Sequence, residues 1–151
     1  MSGSALLRAA LLTSLVAVLP LRADLSRAKA EPNLERRARL ALDNADSQFR
    51  LASGANKAGD WQKTVAALQE IRESVDLAYA SLRETGKNPR DSRHYKNLEV
   101  KTRGLLKRIE ELRRTMPFDQ REQLEPLVAH LQKLHDEVLQ SVMSPRRKES
   151  R

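Results

Sequence analysis

The chain has 151 residues, of which 28 are Lys or Arg and 20 are Asp or Glu, so its formal net charge is +8. Because it contains no cysteine, disulfide scaffolds, thiolate zinc sites and cysteine nucleophiles are excluded. Glycine (5 residues), proline (6 residues) and aromatic residues (3%) are scarce. This composition favours long helices over sheets, and the length is that of one domain.

The first 30 residues are predicted to form a signal peptide. Residues 1–8 carry one positive charge, and residues 9–21 form a run of 13 residues without a charged side chain. This arrangement is typical of secretory signal peptides. The run is too short for a membrane span, which needs roughly 20 apolar residues. We therefore expect a periplasmic or secreted protein whose mature chain has no transmembrane helix; an uncleaved amphipathic leader is the alternative.

The cleavage site is predicted after Ala30. The tripeptide Ala28-Lys29-Ala30 places small residues one and three positions before the bond, as signal peptidases prefer. A cut after Ala23 is the alternative, and it fits this preference less well because Leu21 then lies three positions before the bond. With a cut after Ala30, residues 31–143 form the folded domain and residues 144–151 (SPRRKESR) form a basic disordered tail.

Four segments of similar length in residues 31–143 carry apolar stripes with helical spacing. The first begins after Pro32 and runs to about Ala55, with the stripe Leu34, Ala38, Ala41 or Leu42, Ala45, Phe49 and Ala52. The second is capped by Asp60 and ends at Gly86. Its stripe contains Trp61, Val65, Leu68, Ile71, Val75, Ala78 and Leu82.

The third segment begins at Asp91 or Ser92, and its stripe contains Tyr95, Leu98, Thr102, Leu105, Ile109, Leu112 and Met116. The fourth follows Pro117, with the stripe Leu124, Leu127, Val128, Leu131, Leu134, Val138 and Val142. Pro126 either kinks the fourth helix or is the first residue of its long part, after a separate short turn over residues 118–125. We favour the second interpretation, because proline is well tolerated at the first position of a helix.

The equal lengths and short links of the four segments predict antiparallel neighbours. We expect an all-α fold, specifically an antiparallel up-down-up-down four-helix bundle in which the four stripes share one core. A stack of two helical hairpins is the alternative. Either arrangement can bury a modest core in a chain of this length.

The junction between the first two segments resembles part of a known helical repeat. Residues 59–68 (GDWQKTVAAL) are similar to the middle of a tetratricopeptide repeat, where a Gly-Asp-aromatic turn starts the second helix. The family's usual Ala is Thr64 here, and no second copy at a 34-residue period is visible. The resemblance implies a helical hairpin and a protein-interaction role, and it transfers no binding residues. The whole chain also resembles small exported helical proteins of Gram-negative bacteria.

The sequence contains no recognisable catalytic or metal-binding constellation. Of its three histidines, His130 and His135 are five residues apart and diverge by about 140° on a helix, so they cannot share a metal ion. The Glu-x-x-His element of di-iron bundles, the Gly-x-Ser-x-Gly elbow and the P-loop are all absent. We predict that the protein is not an enzyme and has no catalytic residue, no metal and no cofactor.

The third segment and the loop before it are basic. Residues 83–114 contain 11 basic and 5 acidic side chains. Spacings of seven, four and seven place four basic residues on one side of the helix, and these are the candidate partner-binding residues: Lys96, Arg103, Lys107 and Arg114. Such a row can bind phosphates, an anionic membrane or an acidic protein. The alternative is a solvated face balanced by the pairs Glu99–Arg103 and Glu110–Arg114.

These observations predict an exported, non-catalytic helical protein that acts as a protein-interaction or envelope structural module. Its partner is expected to be a protein or a component of the cell envelope. The alternative is an electrostatic binder of anionic surfaces, nucleic acid or phospholipid, through the basic third segment. Nucleic acid is disfavoured because only Tyr95 in this stretch could stack on bases. We expect a monomer or a weak homodimer. Leucines outside the stripes indicate a second apolar side and hence dimerisation, and the alternative is that they widen the contact with the core.

Overall fold

The computed structural model describes residues 23–144, which contain five α-helices and no strand. The helices are α1 (Ala23–Ala30), α2 (Leu34–Lys57), α3 (Trp61–Glu84), α4 (Arg93–Arg114) and α5 (Phe118–Met143). The all-α prediction is confirmed for this part of the chain, and α2 to α5 correspond to the four predicted segments. Most of the predicted signal segment and of the basic tail lies outside the described residues.

Side-chain caps fix where three of the helices begin. Asn33, Asp60 and Ser92 each accept a hydrogen bond from the backbone N–H three residues later, at 2.9, 3.0 and 3.4 Å. These bonds satisfy amide groups that have no partner inside the helix. The predicted cap at Asp60 is confirmed. Gly86 follows α3 with a φ of +64°, in the left-handed conformation that ends helices and favours glycine.

The most extensive helix contact in residues 23–144 joins α2 to α3, and small side chains build it. On α3, Thr64, Ser74 and Ser81 are at most 1% exposed, and each hydroxyl donates to the backbone carbonyl four residues earlier. These hydroxyls can be buried because they have partners within their own helix. On α2, four alanines are at most 2% exposed: Ala38, Ala41, Ala45 and Ala52.

The predicted stripes are largely buried, with one clear exception. All seven stripe residues of the third segment are at most 8% exposed. Val65, which was predicted as part of the core, is 39% exposed. The buried side of α3 includes its small hydroxyl residues instead of Val65, and small side chains let two helices approach closely. A pattern that counts only apolar side chains does not detect this difference.

The helices form two antiparallel hairpins, α2–α3 and α4–α5, which stack with α2 beside α4 and α3 beside α5. Helices α2 and α4 run parallel, since Glu35 pairs with His94 near their starts at 3.5 Å and Asn56 donates to Thr115 near their ends at 3.2 Å. Helices α2 and α5 share no close backbone contact. The helical bundle is therefore confirmed, and its packing is that of two stacked hairpins, the alternative arrangement.

An additional short helix precedes the four predicted ones. Helix α1 packs against α2 and α3, and Leu25 and Ala28 are 5% and 0% exposed. Both residues fall within the predicted signal segment, so the packed part of the chain begins before residue 31. Among the helices of residues 23–144, none combines the length and the apolar character that a membrane span needs.

Helix α5 is continuous, and Pro126 lies inside it. The prediction that Pro126 begins the long helix is therefore wrong. Pro126 is exposed, so its ring is accommodated at the surface and the helix loses a backbone hydrogen bond there. Leu124 and Leu127 on either side of it are 3% and 8% exposed, and their burial keeps the helix intact through the proline.

We expect Pro126→Ala to raise the free energy of unfolding by about 1 to 2 kcal/mol. Alanine restores the backbone hydrogen bond that proline cannot donate, and an interior proline costs a helix about 3 kcal/mol. The greater conformational freedom of the unfolded variant chain offsets part of this gain. Urea unfolding followed by circular dichroism measures the change. Gln123→Ala, at an exposed position of the same helix, serves as the control. A Pro126→Ala variant that is less stable than the wild type would contradict this account.

Candidate interaction surface

Two groups among the basic residues of α4 have different surroundings, and the first group faces α2. Lys101 and Arg108 both bind the carboxylate of Asp46, with Arg108 at 2.6 Å. The Arg108 guanidinium also lies over the Phe49 ring, 4.8 Å from its centroid, and its Nε donates to the Gly104 carbonyl at 3.2 Å. These side chains join the two hairpins, so their charges are used inside the molecule.

The carboxylate of Asp46 is held in its ionised form. Burial of Asp46 acts to raise its pKa, but the hydrogen bonds from Lys101 and Arg108 and their positive charges outweigh this effect. The pKa of Asp46 is therefore lower than its ordinary value. Hydrogen bonds between charged groups are about twice as strong as neutral ones, so this contact depends on the ionised carboxylate.

We expect Asp46→Asn to lower the free energy of unfolding by about 1 to 2 kcal/mol at pH 7, because it removes the charge that binds two cations. The pKa of Asp46 is lower in the folded than in the unfolded chain. Its stabilisation is therefore fully present above about pH 4 and is lost as the pH falls through the folded value. The difference between wild type and variant should then shrink below about pH 4.

Urea unfolding between pH 7 and pH 3 tests this pH dependence. Asp43→Asn, at an exposed position of the same helix, is the matched control and should change the stability by no more than about 0.5 kcal/mol. If the effect of Asp46→Asn is the same at every pH, the ion pair is not its source.

The second group is the predicted basic row on the outer side of α4. Lys96, Arg103, Lys107 and Arg114 are all exposed, and at 1.5 Å per residue they extend over about 27 Å. The Nε of Arg103 lies 3.6 Å from Oε1 of Glu99, as expected for residues four apart. The side chains of Lys96, Lys107 and Arg114 have no hydrogen bond or ion pair with any residue in 25–144.

The predicted pair between Glu110 and Arg114 does not form. Arg113 binds Glu110 instead, at 3.2 Å, and also binds Glu125 of α5. Arg113 lies on the side of α4 that faces α5, where it reaches carboxylates on both helices. As a result, Arg114 keeps an uncompensated charge at the end of the row.

Apolar side chains accompany this row. Val100 is 52% exposed and lies about 40° from Lys96 around the helix axis, hence on the same side. Phe118 is 72% exposed and lines a shallow pocket of about 380 Å³. Three arginines (Arg113, Arg114 and Arg121) and three carboxylates (Glu110, Glu122 and Glu125) also line this pocket. Exposed aromatic and arginine side chains are typical of protein-binding surfaces. We define the α4 surface as Lys96, Val100, Arg103, Lys107, Arg114 and Phe118.

Each of the three histidines pairs with a carboxylate on another helix. The pairs are His94–Glu35, His130–Asp76 and His135–Glu99, with distances of 3.5, 2.6 and 3.1 Å. His135 and Glu99 are both 8% exposed and join α4 to α5. Within the described part of the chain, no group of three or more His, Asp or Glu side chains is placed to hold a metal ion. The histidines therefore connect different pairs of helices and do not gather at one site.

A groove of about 870 Å³ lies between α1, α2 and α3. Small residues line much of it, including Gly54, Ala55, Ala58, Ala66 and Ala67. Leu51, which also lines the groove, is 38% exposed. Charged side chains are also present: Lys29, Arg50, Asp60, Lys63, Glu70 and Glu73. The sequence does not predict this groove, because α1, which forms one side of it, was assigned to the signal segment.

The structure brings all four predicted site residues to one surface and adds Val100 and Phe118 to it. Phe118 was not predicted, because it lies outside the apolar stripes. Comparison of the chain with protein-family models, curated proteins and solved structures finds no match.

Proposed function

We propose that this chain is an exported, non-catalytic helical protein that binds a protein partner through the α4 surface. The observation that carries this proposal is the division of charges on α4. Lys101 and Arg108 are used within the fold, whereas Lys96, Lys107 and Arg114 have no partner in residues 25–144. Charges without internal partners attract an oppositely charged surface. An acidic helix with carboxylates spaced along about 27 Å matches the row.

The apolar members of the α4 surface favour a protein over a purely anionic surface as the partner. Val100 and Phe118 are 52% and 72% exposed, and protein interfaces combine such apolar contacts with a charged rim. An electrostatic binder needs only the charges. The resemblance of residues 59–68 to a tetratricopeptide turn and the stacked hairpins further support an interaction role.

Export is proposed from the apolar run over residues 9–21 and the charges that flank it. The lack of cysteine is compatible with a bacterial periplasm or exterior, since a helical core of this kind does not need disulfides. A monomer is the proposed state, because the leucines outside the stripes mostly serve the core: Leu40 and Leu77 pack against it, and Leu106 is 7% exposed.

The alternative proposal is binding of nucleic acid or phospholipid through the same three unpaired charges. It predicts an affinity that falls steeply with salt, because such binding releases counterions and is screened. Binding to phosphatidylglycerol vesicles or to duplex DNA between 50 mM and 300 mM salt tests it. Affinity for either that does not change with salt would eliminate this alternative.

Reversing three charges of the α4 surface should abolish partner binding. We expect the triple variant Lys96→Glu, Lys107→Glu, Arg114→Glu to lose about 100-fold or more in affinity, because like charges then face the acidic partner. Arg103 is left unchanged, since a Glu at this position would face the buried Glu99. The measurement is capture of partner proteins from the envelope fraction of the host, with helicity checked by circular dichroism.

The matched control is the triple variant Arg39→Glu, Lys57→Glu, Lys133→Glu, which makes the same change in net charge at exposed positions outside the α4 surface. We expect the control and the wild type to capture the same partner. If the α4 variant also captures it, the surface is rejected as the binding site. If the α4 variant loses only DNA or vesicle binding, the alternative proposal replaces the first.

Phe118→Ala separates protein binding from electrostatic binding. We expect it to weaken binding of the captured partner about tenfold, because aromatic side chains contribute strongly to protein interfaces. The free energy of unfolding should change by no more than about 0.5 kcal/mol, since the side chain is mostly exposed. Isothermal titration calorimetry and urea unfolding measure the two quantities. Unchanged partner affinity would show that the contact does not include Phe118.

A further inference from the structure

The burial of α1 bears on where the leader is removed. Leu25 and Ala28 are 5% and 0% exposed, and Ala28 belongs to the same apolar cluster as the buried side chains of α2 and α3. A cut after Ala30 would remove all of α1 and uncover the surfaces of α2 and α3 that it contacts. A cut before Leu25 would keep these contacts in the mature protein.

The connection between α1 and α2 is also part of the fold. The Glu31 N–H donates to the Ala28 carbonyl at 3.2 Å, and the Glu31 carbonyl accepts from Nε of Arg37 at 2.8 Å. The Glu31 carboxylate pairs with Arg36 at 3.1 Å and accepts from the Asn33 N–H at 3.0 Å. A cut after Ala30 would remove the first of these bonds and place a new ammonium group beside two arginines.

Ala23 is the first small residue after the apolar run. Ala23 follows the apolar run over residues 9–21 after a single intervening residue, Arg22. Ala30 lies nine residues beyond the run, after four charged residues. Signal peptidases cut close behind the apolar run at a small residue. The short distance from the apolar run therefore favours a cut after Ala23. The residue three positions before this bond, Leu21, fits the preference for small residues less well.

We propose that the chain is processed between Ala23 and Asp24, and that α1 is the first helix of the mature protein. In this step a membrane-bound signal peptidase uses water to hydrolyse the amide bond, which leaves a carboxylate on Ala23 and an ammonium group on Asp24. This inference rests on the proposed export. It places the cut seven residues before the Ala30 site that the small-residue motif favours.

Mass spectrometry of the exported protein, produced from the full chain in a Gram-negative host, identifies the mature terminus. We expect a chain that begins at Asp24. A mature chain that begins at Glu31, or at any other residue, overturns this cut and leaves the export proposal intact. A chain that stays whole in the cytoplasm overturns the export proposal and this cut with it.

Two matched variants of the full chain test the site directly. A large charged residue immediately before the bond prevents recognition by a signal peptidase. We therefore expect Ala23→Arg to accumulate as uncut precursor and Ala30→Arg to mature like the wild type. The opposite pattern overturns the proposal.

The stability of the exported protein gives a readout that does not depend on cleavage assays. If α1 is retained, Leu25→Ser should lower the Tm of the purified mature protein by at least about 5 °C, because a buried leucine is lost. Ser26→Ala, at an exposed neighbouring position, should leave the Tm unchanged. Equal Tm values for the wild type and Leu25→Ser would show that residue 25 is absent from the mature fold or does not stabilise it, and would overturn the proposal.

Discussion

The close packing of α2 against α3 through small side chains is the constraint on which the rest of the structure depends. Alanines of α2 and the hydroxyl residues Thr64, Ser74 and Ser81 of α3 leave little space between the two helices. The hairpin therefore behaves as one layer with two outer faces. The α4–α5 hairpin packs on one face of this layer. Helix α1 packs elsewhere on the layer and has no close backbone contact with α4 or α5. In the resulting stack, α5 lies beside α3 and has no close backbone contact with α2.

Electrostatic contacts determine how the second hairpin meets the first and which charges remain outside. Asp46 on α2 binds Lys101 and Arg108 of α4. Arg113 binds a carboxylate on α4, Glu110, and one on α5, Glu125. The basic residues of α4 that face its neighbours are thereby compensated, whereas Lys96, Lys107 and Arg114 on the outer side have no ion pair within residues 25–144. Binding through these three side chains costs no internal ion pair, which is a physical reason to propose the partner there.

The N-terminal helix links the fold to the proposed export. It covers part of the α2–α3 layer, and the groove beside it continues along α2 and α3 as far as Ala58 and Lys63. Leu25 and Ala28 contribute to the packed structure. Under the proposed export, a cut after these residues would remove side chains that the core uses, whereas a cut before them would not.

The sequence by itself determined the number and the approximate spans of the four long helices, because the apolar period and the capping residues Asp60 and Gly86 are local properties of the chain. It did not determine the start of α5, since the burial of Leu124 and Leu127 keeps that helix continuous through Pro126. It also identified the exposed basic row, since the face opposite a fully buried stripe can be read from helical spacing alone. Only the tertiary structure decided which helices are neighbours, which acid pairs with which arginine, and that Val65 and Phe118 are exposed. These features depend on the distance and rotation between helices. Small polar residues determine both through packing, and the pattern along a single helix does not specify them.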